Sequence, residues 1–184
     1  MLANYTKACA KNVGGNATVF LTEAANISTV TVTAGEISAL SMASGKTFHQ
    51  LQADIDSIVH TVEATGTRTN IGYTHKIEMK FMGPSTELNV LRDALVAASA
   101  CGLVAIVQDG NGECWLVGYN ETDGVNRALF VDADNLASGA TPTDDGANVV
   151  TISLSTTTGY LSLPFDDTTK GTIVGGSATF ITYN

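Results

Sequence analysis

Tyr73-Thr74-His75-Lys76-Ile77-Glu78-Met79-Lys80-Phe81 alternates without a break. Tyr73, His75, Ile77, Met79 and Phe81 therefore share one largely apolar side of an extended chain, and Thr74, Lys76, Glu78 and Lys80 share the other. This is the pattern of a half-buried strand. Gly83-Pro84 ends it, and Ser85 or Thr86 can accept a hydrogen bond from the free amides of a first helical turn. Leu88, Leu91, Leu95 and Ala98 then recur at helical spacing up to Gly102. A helix over 86–101 would be about 24 Å long. Residues 103–107 (Leu-Val-Ala-Ile-Val) form a short apolar run, Asp109-Gly110-Asn111-Gly112 tolerates a tight turn, and Cys114 to Tyr119 returns as a strand. A β-α-β-β succession is thus written into one segment.

The rest of the chain predicts sheets laid against that segment. Short strands are expected over 18–22, 27–33 and 37–42, with turns at Gly35 and Gly45. Residues 47–63 predict one long strand, on which Gln50, Gln52, Asp54 and Asp56 share a face. A change of parity near Ser57 marks a bulge or a region buried on both faces. Residues 64–70 contain Gly66 and no apolar anchor, and predict an exposed tip joining this strand to 73–81 in one long hairpin. Residues 120–148 predict a long polar loop broken only by 128–131. Strands are expected at 149–154, 160–164 and 179–183. Residues 1–15 lack a period and predict an arm ordered by neighbours.

At 184 residues, with 44% apolar and only 15% charged side chains, the chain predicts a single mainly β domain with one helix and much of its surface covered by partners. The formal charge of −9 is uneven: from Glu121 onward eight carboxylates face only Arg127 and Lys170. Such a surface argues against tight nucleic-acid binding, but it suits a wall past which nucleic acid slides. Cys9, Cys101 and Cys114 have no metal-ligand or disulfide spacing and read as small buried apolar residues. No apolar run reaches the length of a membrane span, and no secretory leader precedes the first strand, so the expected setting is a reducing cytoplasm.

Chemistry is sparse. Asp54 and Asp56 would lie about 7 Å apart on one strand face, near the spacing of some acid-base hydrolases, but acid work also needs surroundings that raise one pKa, so they read as a solvated acidic face. His49, His60 and His75 lack close sequence partners, and Asp109-Gly-Asn-Gly-Glu113 lacks the later ligands of a calcium loop. Neither a phosphate-binding loop nor a nucleophile elbow is present. No enzyme and no cofactor is expected.

Three stretches resemble the tail tube (major tail) proteins of tailed bacteriophages. They are Cys-Ala-Lys-Asn-Val-Gly-Gly at 9–15, the block at 26–48 beginning Asn-Ile-Ser-Thr-Val-Thr-Val-Thr, and Leu-Val-Ala-Ile-Val-Gln-Asp-Gly-Asn-Gly-Glu-Cys-Trp-Leu-Val-Gly-Tyr at 103–119. The resemblance implies a β-sandwich or partial barrel flanked by one helix, with a long hairpin. It also implies six copies per ring, and rings stacked into a virion tail tube that contacts other tail proteins and lets DNA through. On that footing Gln50, Gln52, Asp54 and Asp56 are the candidate lumen-facing residues, with Thr74 to Lys80 the next candidate. Thr65, Gly66, Thr67, Arg68 and Thr69 are the candidate inter-ring loop. The competing reading is a host-surface or carbohydrate-binding β-sandwich of the virion.

Overall fold

Leu103–Asp109 is the strand around which the layers form, because its first five side chains are all buried and they serve two separate apolar clusters. The computed structural model describes residues 16–51, 57–67, 69–82, 85–122, 124–137, 148–174 and 181–182. The strands, in chain order, are β1 Asn16–Glu23, β2 Ile27–Thr33, β3 Glu36–Met42, β4 Phe48–Leu51, β5 Ile58–Thr67, β6 Asn70–Met82, β7 Leu103–Asp109, β8 Cys114–Val117, β9 Phe130–Ala137, β10 Val149–Thr158, β11 Leu163–Pro164 and β12 Ile181–Thr182. Two helices, α1 Thr86–Ser99 and α2 Asp167–Val174, complete the set. The fold is mainly β, as expected.

Three sheets stack in layers. The middle one has six strands in the order β11-β8-β7-β1-β4-β12, antiparallel except where β12 runs parallel to β4. One of its faces sends Val19, Leu21, Leu51, Ala105 and Val107 against Ile77, Met79, Ile152 and Leu154 of a four-stranded antiparallel sheet ordered β5-β6-β10-β9. The other sends Phe20, Phe48, Val104, Ile106 and Leu116 against Ile37 and Leu40 of the β2–β3 hairpin and against Phe165. A strand buried on both faces needs apolar residues at every position, which is why Leu-Val-Ala-Ile-Val does not alternate whereas β6 does.

The alternation of β6 is realised as read: His75, Ile77, Met79 and Phe81 are buried, and Lys76, Glu78 and Lys80 are half-buried or exposed. Helix α1 starts where Ser85 was expected to cap it, with the Leu88 amide donating to Ser85 Oγ at 3.1 Å. It ends where Gly102 takes φ +83°. A side chain there would be strained, and its Cβ would stand 2.6 Å from that of Ala128. Leu88 and Leu95 are buried in the sandwich core, and Leu91 packs against it half-buried. Leu95→Ala is therefore expected to cost about 2–5 kcal/mol, and Leu91→Ala clearly less, by chemical denaturation. Equal midpoints for the two variants would show the helix face to be misplaced.

Four expectations are corrected. Residues 47–63 are not one strand: β4 belongs to the middle sheet and β5 to the four-stranded sheet, so the parity change near Ser57 marks a transfer between layers and not a bulge. The hairpin tip is not the whole of 64–70, because pairing continues to Thr67 opposite Asn70. The polar segment after Asn120 contains β9, which pairs along β10 with a register shift between Ser153 and Leu154. That shift changes parity, so Val131 and Asp134 sit opposite Leu154 and Ile152, and the sequence loses its period. Finally, a second helix, α2, follows Asp166, whose Oδ1 accepts from the Thr169 amide at 2.7 Å. Those amide bonds hold the Asp166 carboxyl below its usual range. The Thr- and Gly-containing turn behind it carries no apolar period, so no helix was expected there.

Helix α1 is tied to β9 at two points. Ser99 Oγ accepts from the Val131 amide at 2.7 Å, and Arg92 Nε donates to Asp134 Oδ1 at 2.7 Å. Both partners of the ion pair are about four-fifths buried, so an acid occupies an inward position of a strand that also carries Asp132 and Asn135, and β9 did not read as a strand. The terminal strand expected at 179–183 is described only at its two β12 residues, and the expected arm at 1–15 lies outside the described residues.

Candidate functional site

The outer face of the four-stranded sheet is the largest regular surface whose chemistry can be followed residue by residue. Register places Val59, Thr61, Glu63 and Thr65 of β5 beside Thr74, Lys76, Glu78 and Lys80 of β6, followed by Thr151, Ser153, Ser155 and Thr157 of β10. Hydroxyls connect the strands: Thr74 Oγ1 lies 3.4 Å from Thr65 Oγ1 and 3.1 Å from Thr157 Oγ1. Glu78 stands between two cations, 3.6 Å from both Lys76 Nζ and Lys80 Nζ. Pairs this exposed contribute little to stability. What they do is cancel: the two lysines and the two glutamates that β5 and β6 place here leave the face near neutral. Strands β5 and β9 stand at its two edges.

The candidate residues named from the sequence are distributed differently from this. Gln52, Asp54, Asp56 and Arg68 lie outside the described residues. Gln50 is half-buried on β4, opposite Phe20 of β1, in the middle sheet. It contributes to a cleft of about 340 Å³ between that sheet and α1, lined by Leu21, Leu51, Leu91, Leu95 and Leu103, with Glu23 and His49 its ionisable groups. Thr65, Gly66 and Thr67 are exposed and end β5, and Thr69 is in the turn. Thr65 and Gly66 also line a polar cleft of about 520 Å³ with Arg127 and Tyr160.

Gly66 has φ +123°, and a Cβ there would lie 2.1 Å from the Asn70 carbonyl oxygen. Gly66→Ala is therefore expected to open the tip and to raise amide exchange at the end of β5 while leaving β7 unchanged. Exchange identical to wild type at both places would rule out this tip geometry.

Among the described residues no three His, Cys, Asp or Glu side chains converge on a point that could hold a metal ion. No helix among them is long and apolar enough to cross a membrane.

The cysteines differ from expectation. Cys114 is buried as read, and burial, with Glu113 beside it, pushes its thiol up to about 11. Cys101, at the end of α1, is exposed. Maleimide labelling of the native protein should mark Cys101 within minutes and leave Cys114 unlabelled, as read by peptide mass mapping. Rapid labelling of Cys114 would show that its strand is not covered.

Sequence spacing also missed a meeting of two histidines. His60 on β5 and His75 on β6 place their ring centroids 6.3 Å apart and nearly parallel. Two strands in a hairpin bring together residues fifteen positions apart, and only the register, Val62 opposite His75, reveals it.

Compared with protein-family models, curated proteins and solved structures, the chain matches none of them.

Proposed function

We propose that the chain is a structural subunit of a bacteriophage tail tube, assembling with copies of itself into stacked rings. In this reading the outer face of the four-stranded sheet lines the channel. The observation that carries it is the chemistry of that face: threonine hydroxyls joined across three strands, with Glu78 compensated by Lys76 and Lys80 and, among the described residues, no unpaired cation cluster to grip phosphate. The edge strands β5 and β9 then offer backbone groups through which neighbouring copies extend the sheet around a ring. Thr74 to Lys80 takes the role for which Gln50, Gln52, Asp54 and Asp56 were the first candidates. The turn after β5 faces the next ring. The resemblance in sequence supplies six copies per ring, other tail proteins as partners and the virion tail as location.

Electron microscopy of the purified protein tests this directly. Rings or tubes are expected; a monodisperse monomer at every concentration and salt would overturn it.

A second reading rests on Tyr160, which is 46% exposed and lines the polar cleft with Arg127. An exposed ring beside a guanidinium is a common sugar platform, and makes a host-surface carbohydrate binder the alternative. Glycan-array binding lost in Tyr160→Ala, with no tube formed by the wild type, would favour it.

A further inference from the structure

His60 and His75 do no work in the proposed tube, yet their surroundings are unusual. His75 is 2% exposed, and its Nε2 lies 3.0 Å from the Tyr160 carbonyl oxygen. A carbonyl can only accept, so Nε2 carries the proton and Nδ1 is left with a bare lone pair. That Nδ1 is buried without a hydrogen-bond partner, and so is His60 Nε2 on the neighbouring ring. Each nitrogen is satisfied in water and unsatisfied here, so seating β5 carries a cost that the sheet bears while the pair is neutral and that a buried charge would raise.

The groups bearing on the pair are few. On β5, Glu63 projects to the outer face, as do Lys76 and Glu78 on β6. On the inner face Val62 and Ile77 flank the rings, Tyr73 lies two residues along β6, and Thr156 of β10, opposite His75, donates its hydroxyl to the Arg127 carbonyl. Among the described residues no carboxylate offsets a charge on either ring: burial depresses both imidazoles, His60 to about 4, and each ring's charge would oppose the other's.

We propose that the two histidines form an acid-sensitive latch on the edge strand β5, which is held in the sheet while both rings are neutral and released from it when either is protonated. The sign follows from linkage. The exposed ring takes up its proton near pH 6.5 and the seated one only near pH 4, so the hold is complete above about 6.5 and is lost as pH falls toward 4. Across that window the released population grows, for His60, at up to about tenfold per pH unit. His60 alone thus gives about 40-fold between about pH 6.5 and pH 4.5, and His75 acts in the same direction. The latch does not depend on the tube reading, since it belongs to one chain's own hairpin.

Hydrogen exchange on the full chain tests it, with rates corrected for the intrinsic pH dependence and β7 amides as the internal reference. Between about pH 6.5 and pH 4.5, β5 amides should open about 40-fold or more relative to β7 in the wild type. In His60→Gln, which keeps a polar side chain but cannot titrate, most of that rise should disappear at the same two pH values. The same rise in the variant would overturn the proposal, as would a β5 that moves no more than β7. Should His60→Gln fold poorly, imidazole carbon shifts of the wild type decide instead: ring titration near pH 6.5 with β5 still protected overturns it, and titration coupled to loss of β5 protection upholds it.

Discussion

Ile106→Asp is expected to abolish soluble folded protein, and Ile106→Ala to lower stability by about 2–5 kcal/mol. Ile106 is fully buried in the middle strand of the middle layer, opposite Phe20 of β1 and Leu116 of β8, under the β2–β3 hairpin. Truncation removes apolar contact and leaves a void that β7 cannot move to fill, because its other face is packed against the four-stranded sheet. A carboxylate at the same place would have to be buried without a partner or expel the hairpin layer, and either costs more than a small domain's entire margin of stability. Val90→Ala is the control: that side chain is 65% exposed on α1, so its loss should stay within about 0.5 kcal/mol. Denaturant unfolding of the two alanine variants measures the contrast. A wild-type melt for Ile106→Asp would mean that this face of β7 is wet and that the third layer is not seated.

The second large effect concerns charge on the sheet's outer face. Glu63→Lys with Glu78→Lys turns two carboxylates and two lysines into four lysines on β5 and β6, with all of the altered side chains wet or half-wet. Folding should survive, because the pairs being lost are exposed and weak. In the tube we propose, the variant should hold double-stranded DNA at low salt and release it as salt rises, since each lysine that meets a phosphate displaces a counterion and steepens the salt dependence by about one unit. Low-dielectric walls focus such charges, so copies around a ring reinforce one another and the change is from free passage to retention. Co-sedimentation of tubes with DNA over a salt series is the measurement. Variant tubes that bind no more DNA than wild type would place the channel on another face.

Much of the local structure was legible in the residues themselves. The alternation of 73–81, the Ser85 cap, the leucine spacing of α1, its end at Gly102 and the unbroken apolar run of β7 each follow from interactions spanning four residues or fewer, which is the range over which sequence patterns act. What only the tertiary structure decided was partnership. That 47–63 is divided between two sheets, that Asp134 in β9 is neutralised by Arg92 of α1, and that His60 meets His75 are consequences of register and layer order, set by contacts between residues from fifteen to more than forty positions apart. The same holds for the candidate surface. The hydroxyl row Thr65, Thr74 and Thr157 joins three strands, one of them eighty-three residues from its neighbour. No spacing rule links such positions. They become one face only because β10 threads between β6 and β9 with its apolar side turned to the core.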